Sequence, residues 1–269
     1  VSEPTILMTT RNRLEQLKSA LLSIRAKKYV GVDVTIVDDA SSDGTVDMLR
    51  DPAYWPFDGE RLGRPVLTPK GREFYLTGAV FSPDSRFAAF RVFRLQRPEG
   101  RYRRNPASVI NFGHKQVQTD VTIEQCGEIC HLTDCVEPLM EVCRPGRVAL
   151  ARVHHGTPEQ MEVLQKKIKE GSYVFPGNFE LCKHLDKGGA IKIPLLGKER
   201  IALYCGLERP APLIFLGAIH KKDFNAVGGY NEHITCSADD DLARRLQARG
   251  VRFRFVGRAV AFHLKHGKS

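Results

Sequence analysis

Three consecutive acids, Asp239-Asp240-Asp241, stand directly before the apolar-periodic run Leu242–Leu246. At a helix start the dipole favours their ionised forms, while their mutual repulsion opposes them. Such a group can supply a proton-accepting carboxylate. The plainer alternative is that Asp239 is an N-cap and the other two are first-turn acids, which suffices for Asp241. Two further segments combine acids, hydroxyls and arginines: Thr9-Thr10-Arg11-Asn12-Arg13, and Asp38-Asp39-Ala40-Ser41-Ser42-Asp43-Gly44-Thr45. Asp38 and Asp39 can accept hydrogen bonds from a base N–H and from ribose hydroxyls. Arg11 or Arg13 can neutralise phosphate. The alternative for Asp38 or Asp43 is that it merely caps the next turn or helix.

These residues need elements to position them. Thr5–Thr9 reads as a strand, and Leu14–Ile24 has apolar residues at helical period, with Asn12 as a plausible N-cap. Val32–Val37 reads as a second strand and Val46–Leu49 as the start of another helix. Strand–helix–strand at this spacing implies a parallel pair with a right-handed crossover, and ligands of open α/β sheets gather at the carboxyl ends of such strands. Residues 52–104, rich in Pro, Gly and Arg, read as an insertion or elaborated edge. Ordinary packing is the simpler role there for Tyr54 and Trp55. Beyond it, Ala107–Gln118 and Leu132–Glu141 read as helices, and Val121–Glu124, Val148–Val153 and Pro212–Ile219 as strands. A turn at Gly228-Gly229, a helix at Asp239–Ala248 and strands at Arg252–Val256 and Ala259–Phe262 follow. Residues 156–189 are polar, with a basic amphipathic stretch at Met161–Glu170 and a Pro/Gly loop at Phe175–Asn178.

The strand with Thr-Thr-Arg-Asn and the later Val37-Asp38-Asp39-Ala40-Ser41-Ser42-Asp43-Gly44-Thr45 together resemble the opening of family 2 glycosyltransferases of the GT-A fold. Asn105 to Asn111-Phe112-Gly113, then Thr119-Asp120 before a central strand, continue the resemblance. Val227-Gly228-Gly229-Tyr230-Asn231-Glu232 followed by Asp239-Asp240-Asp241-Leu242 resembles the family's acceptor-side motif. The resemblance implies an α/β, Rossmann-like, mostly parallel twisted sheet flanked by helices. Residues 1–135 would be the nucleotide-sugar half, with 52–104 inserted, and 136–269 the acceptor and catalytic half of the same domain.

The resemblance also implies roles. Thr9, Arg11, Arg13, Asp38 and Asp39 would hold the nucleotide. The family's metal-binding Asp-x-Asp falls on Cys126-Gly127-Glu128, so Cys126 replaces the first acid and Glu128 takes the second place. A single carboxylate can still ligate Mn²⁺ or Mg²⁺ when phosphate and water supply the other oxygens. In related metal-dependent enzymes a late strand delivers a His, sometimes with a second ligand three residues on. His263 and His266 have that spacing, and imidazole suits Mn²⁺ better than Mg²⁺. His263 as a core histidine and His266 as a tail residue are the plainer roles; His131 is either a further ligand or a turn residue. Lys265 could help neutralise the leaving diphosphate. Aligned this way, Ala238 replaces a usual Glu and Asp239 occupies the base position, with Asp240 second. The implied reaction is an inverting hexosyl or pentosyl transfer from a UDP-linked donor to a glycan or other hydroxyl acceptor.

The net charge is +10, spread along the chain, which favours anionic partners. It leaves a nucleic-acid partner or a DNA acceptor as an alternative, although no zinc-finger or RNA-recognition motif accompanies it. A catalytically inactive scaffold domain is a second alternative, motivated by Cys126. Seven cysteines without a Cys-x-x-Cys pair argue against a disulfide scaffold and against structural zinc. No leader pattern and no apolar run long enough for a bilayer are visible, so reduced thiols in the cytoplasm are expected.

Overall fold

The structure is a computed structural model. It describes residues 3–57, 60–70, 73–81, 88–95, 105–155, 192–195, 198–201, 214–234 and 238–264. The stretches Met161–Glu170 and Phe175–Asn178, and Lys265 and His266, lie outside the described residues.

Strand β1 (Thr5–Thr10) is buried along almost its whole length, as a central strand covered on both faces must be. It lies parallel to β2 (Asp33–Asp38) on one side and to β6 (Val121–Cys126) on the other. The crossover from β1 to β2 is helix α1 (Leu14–Ala26), which buries Leu17, Leu21 and Ile24. Helix α2 (Thr45–Arg50) follows β2. Strands β3 (Glu60–Lys70), β4 (Glu73–Phe81) and β5 (Ala88–Arg94) come next, then helix α3 (Pro106–Gln116). After β6 come β7 (Ile129–His131), α4 (Val136–Val142) and β8 (Arg147–His155). A separate antiparallel hairpin pairs β9 (Lys192–Leu195) with β10 (Lys198–Ile201). The chain closes with β11 (Leu216–His220), α5 (Lys221–Ala226), α6 (Ala238–Ala248) and β12 (Arg252–His263).

The main sheet has ten strands in the order β3-β4-β5-β2-β1-β6-β11-β8-β12-β7. Strands β4, β7 and β11 run against the others. The sheet is therefore mixed, with β5-β2-β1-β6 as its continuous parallel part. Alternate residues of β1 serve different layers. Ile6 and Met8 join the core that also holds Leu17 and Leu21 of α1 and Leu139 of α4. Leu7 packs with Val109 of α3. A third cluster joins Phe224 of α5 and Leu242 and Leu246 of α6 to Val148 and Leu150 of β8.

Several expectations need correction. The N-cap of α1 is Arg13, not Asn12, and no side chain of the helix's own start caps it. The Leu14 N–H instead donates to Asp43 Oδ2 from the loop after β2, at 2.9 Å. Asn12 is freed for a different task, described below. Leu132–Glu141 is not one helix: β7 precedes it, and Asp134 Oδ1 accepts the N–H groups of Val136 and Glu137 to start α4 later. The last two expected strands are one, β12, with an irregularity between Val256 and Val260. Within 52–104, β5 is no appendage but part of the parallel sheet beside β2. Trp55 packs against Phe90 of β5 at 5.2 Å between ring centroids and donates to the Leu49 carbonyl. Ordinary packing is thus the role of Trp55. No helix among the described residues is long and apolar enough to cross a membrane.

Candidate functional site

The loops after β1, β2 and β6 meet at one edge of the parallel sheet. Asn12 and Ala40, neither a glycine, adopt positive φ there, 48° and 54°. Such conformations persist only where surrounding contacts over-determine them, and they gather at functional sites. The contacts are visible. The Asn12 N–H donates to Ser41 Oγ at 2.8 Å, and the Ser42 N–H donates to Asn12 Oδ1 at 2.9 Å. The Asp39 N–H donates to the Thr10 carbonyl. Asn12 therefore stitches the two loops together.

The acidic pair sits within this frame. Asp38 is fully buried; its Oδ2 accepts the Ser41 N–H, and Arg94 approaches at 3.8 Å. Burial pushes the Asp38 carboxyl up, against the opposing pull of the Ser41 hydrogen bonds and the Arg94 charge. Asp39 accepts a 2.9 Å hydrogen bond from Arg11, so these two residues form an ion pair at the loop edge. Arg13 turns back to the Asn12 carbonyl at 3.3 Å and is not joined to the pair. Thr9, one residue before the end of β1, is half-buried, opposite Val37 and Cys126.

The turn after β6 abuts Thr9. The Gly127 N–H donates to the Thr9 carbonyl at 3.1 Å, and a Cβ at Gly127 would lie 3.0 Å from that oxygen. This close approach is what a glycine between Cys126 and Glu128 permits. Glu128 Oε1 lies 3.6 Å from His263 Nε2, and the Leu264 N–H donates to the Glu128 carbonyl. The structure therefore brings Glu128, near the middle of the sequence, together with His263, near its end. Their separation suits two donors sharing one divalent ion, each about 2.0–2.2 Å from it. Among the described residues no set of three or more His, Cys, Asp and Glu side chains forms a cage, so a diphosphate and water would have to complete the coordination. His131 does not join them. It is fully buried, hydrogen-bonded to Tyr29 Oη and Gln125 Oε1, and burial lowers its pKa to about 3. It is a core histidine.

The third part lies on α6. Asp239 is half-buried, and its carboxyl is pushed up to about 7. Burial is the largest cause, and the negative charge of Glu124 the next; hydrogen bonding from the Ile214 backbone and the Tyr230 hydroxyl opposes both. Asp240 Oδ1 is buried with no hydrogen-bond partner among the described residues. Asp241 pairs with Arg245 one turn on, at 2.7 Å, as a first-turn acid would. Arg245 also donates to the carbonyls of Val227 and Gly229, which ties α6 to the Gly-Gly turn. Cys126 links this part to the turn after β6. Burial pushes its thiol well up, and the charges of Glu128, Asp239 and Glu124 add to the effect.

Nothing in the sequence marks Glu124 and His114, and Tyr230 enters there only as part of the Gly-Gly motif. Tyr230 Oη donates to Glu124 Oε1 at 2.6 Å, and His114 Nε2 lies 3.0 Å from Glu124 Oε2. All three are buried. Asn111 holds the Tyr230 backbone by both edges, accepting its N–H and donating to its carbonyl, each at 2.8 Å.

Residues 5–58, the segment that supplies Thr9, Arg11, Arg13, Asp38 and Asp39, match the family described as Glycosyl transferase family 2. Among solved structures, the chain superposes on TarS 1–349 of S. aureus in complex with UDP-GlcNAc with a TM-score of 0.56. Identity is 14%, over 99% of this chain and 60% of that one. The mannosyltransferase PcManGT from Pyrobaculum calidifontis, in complex with GDP-Man and Mn²⁺, gives a TM-score of 0.54 at 12% identity, over 98% of this chain and 57% of that one. The fold is that of the GT-A glycosyltransferases. The likeness to family 2 is thus one of sequence in residues 5–58, while across the chain the likeness is of fold. This GT-A chain spans about three-fifths or less of the length of the solved structures it matches. No curated protein matches it.

Proposed function

We propose that this chain is the catalytic GT-A portion of a glycosyltransferase that takes its sugar from a nucleotide-sugar donor. The observation that carries this reading is the convergence of three loops. The loops after β1 and β2 are joined through Asn12 and Ser41, the Gly127 N–H ties the turn after β6 to Thr9, and that turn carries Glu128 to His263; the Asp239 charge on α6 bears on Cys126 at the end of β6. The likeness to structures holding UDP-GlcNAc and GDP-Man supports the donor class.

In this reading residues 1–135 bind the donor and 136–269 carry the acceptor side of one domain. Thr9 and Asp39 face the nucleoside, with UDP the preferred form; Asp38, expected there too, is fully buried and instead holds the loop through the Ser41 N–H; Arg11 orients Asp39, and Arg13 lies nearer the phosphates. Glu128 and His263 hold Mn²⁺ or Mg²⁺, with His266 as a candidate further ligand. The ion, when bound, offsets charge on the departing diphosphate. Asp239 takes the proton of the acceptor hydroxyl as its oxygen bonds to the anomeric carbon. The bond from that carbon to the phosphate oxygen breaks on the opposite side, and the diphosphate leaves with the electron pair. The product is inverted. A carboxyl near pKa 7 is matched to accepting a proton at neutral pH.

Incubation with a panel of UDP- and GDP-linked sugars and Mn²⁺ tests the reading. Expected is release of nucleoside diphosphate from one donor, with an inverted anomeric configuration by proton NMR of the released or transferred sugar. No release from any donor, with simple acceptors or water, would favour an inactive scaffold. Release with retention would remove the single-displacement role of Asp239.

A further inference from the structure

Part of the chain's excess positive charge is gathered at one edge of the sheet, away from the loops described above. Strand β12 runs parallel to β8, and both run in the direction of β6, because the β11 between β6 and β8 is antiparallel to each. The starts of β8 and β12 therefore lie at the edge opposite the ends of β1, β2 and β6. Arg147 begins β8, Arg252 begins β12, and the two are register partners, so their side chains leave the same face. Arg254 follows two residues on, on that face again. Arg144 and Arg147 are joined by two backbone hydrogen bonds, 3.2 and 2.8 Å, across the turn at Pro145-Gly146. The Arg252 N–H donates to the Gly146 carbonyl at 3.0 Å, which ties this turn to the one that carries Arg249 and Gly250 into β12. Both turns are open: a Cβ added at Gly146 or Gly250 would meet nothing within 4 Å. Arg144, Arg249, Arg252 and Arg254 are exposed, and Arg147 is half-buried.

These guanidiniums are uncompensated. Asp223 lies under the first turn, but it is buried and its Oδ2 is taken by the Gly146 N–H at 2.8 Å. Glu141 is paired with Arg258. No carboxylate among the described residues forms an ion pair with Arg144, Arg147, Arg249, Arg252 or Arg254. Partial burial, and then the charges of Arg144, Arg254 and Arg252, lower the proton affinity of Arg147, in keeping with like charges held close together. Their repulsion opposes the compact state, and an anionic partner relieves it.

We propose that this arginine edge docks on a membrane surface of anionic phospholipid. The inference goes beyond the transferase reading and does not depend on it.

The position of the charges selects the occupant. Strand β12 runs twelve residues from Arg252 to His263, about 30 Å or more at roughly 3.3 Å per residue. That is several times the Debye length of about 8 Å in physiological salt, so the arginines do not serve a diphosphate at the far end. An extended anionic acceptor would need charges leading towards the reacting loops, and these lie at the opposite edge. A single-stranded nucleic acid would find no stacking platform. The rings interleaved with the arginines, Phe253 and Phe255, turn to the other face and pack with Val148, Leu150 and Leu242. A bilayer asks only for a compact group of cations on open turns, and roughly four to eight clustered basic residues suffice to hold an anionic leaflet. Docked there, the molecule directs the ends of β1, β2 and β6 away from the lipid.

Co-sedimentation of the chain with vesicles tests the proposal, using phosphatidylcholine alone and phosphatidylcholine mixed with phosphatidylglycerol. Binding is expected only to the mixed vesicles, and it should be lost at high salt. Arg252→Gln and Arg254→Gln should each weaken it about fivefold, the ordinary weight of one basic side chain at an anionic surface, and the double variant about 25-fold. Arg144→Gln, on the open turn, should act like either single variant and gives an independent result should a change in β12 disturb folding. Arg50→Gln, an exposed arginine on α2, should change nothing. Equal binding to both kinds of vesicle, no binding to the mixed ones, or an equal loss in Arg50→Gln and Arg254→Gln would overturn the proposal. Retention on double-stranded DNA that falls in the arginine variants, without vesicle binding, would assign the edge to a nucleic acid instead. Release of nucleoside diphosphate from a soluble donor should be unaltered in these variants, so failure of the transferase reading leaves the vesicle result standing.

Discussion

Asp239→Asn is expected to lower sugar transfer by about 10²–10⁴-fold, the usual contribution of a positioned general base. Nucleotide affinity should be unchanged. Asparagine keeps the shape of the side chain but cannot accept the acceptor proton. The residues assigned to the nucleotide lie on the β1 and β2 loops, outside α6, so the ground state should bind as before. Such a split, rate lost and binding kept, marks an interaction made in the transition state. Asp240→Asn should lose much less, because the raised proton affinity belongs to Asp239. Initial rates of nucleoside diphosphate release, with calorimetric affinities for the same variants, check both statements. Equal rates for Asp239→Asn and wild type would contradict them. A greater loss in Asp240→Asn would transfer the base role to that residue.

Gly229→Ala should destabilise the fold by about 2–5 kcal/mol, combining a left-handed backbone penalty with overpacking. Gly229 has φ +72°, and an added Cβ would lie 2.6 Å from Asn111 Oδ1 and 3.0 Å from the Phe224 ring. Neither neighbour can yield easily. Asn111 Oδ1 is the acceptor of the Tyr230 N–H, and Phe224 is stacked on His114. The neighbouring Gly228 provides the control. Its φ is +74°, yet nothing lies within 4 Å of an added Cβ. Gly228→Ala should therefore cost only the backbone part, about 1–2 kcal/mol. Urea unfolding of the two variants gives the comparison, and equal losses would refute the packing account. Because the turn carries Tyr230, Gly229→Ala should also disturb the hydrogen bond from Tyr230 Oη to Glu124.

The parts of the site that were legible in the sequence are those where chemistry is local. Thr9–Arg13 and Asp38–Thr45 each follow a short apolar strand, and that punctuation alone fixes which side chains sit at strand ends. Asp239–Asp241 announces a helix start in the same way. What was not legible depends on long-range meetings. Asn12 reads as a cap because it precedes a helix. Its actual partners are Ser41 and Ser42, and Asp43 from the same loop takes over the capping. Glu124 reads as the polar end of a strand. Its buried role arises from His114 on the preceding helix and Tyr230 more than a hundred residues later. His131 illustrates the reverse error. Its spacing from Glu128 suits a shared ligand set on a helix, but β7 sends it into the core towards Tyr29 and Gln125. The parallel order β5-β2-β1-β6 could not be read from residues 52–104, because the strand-like run of β5 does not say which strand it pairs with.

The central claim is that a nucleoside diphosphate binds over the ends of β1, β2 and β6 with a divalent ion at Glu128 and His263. Calorimetric titration of UDP, GDP and dTDP, with and without Mn²⁺, on the wild type and on Glu128→Ala bears on it most directly. The account predicts Mn²⁺-dependent binding of one nucleotide, UDP foremost, and its loss in Glu128→Ala. Absence of binding by every nucleotide in both conditions would contradict it, and Mn²⁺-dependent binding that survives Glu128→Ala would take the ion away from that carboxylate.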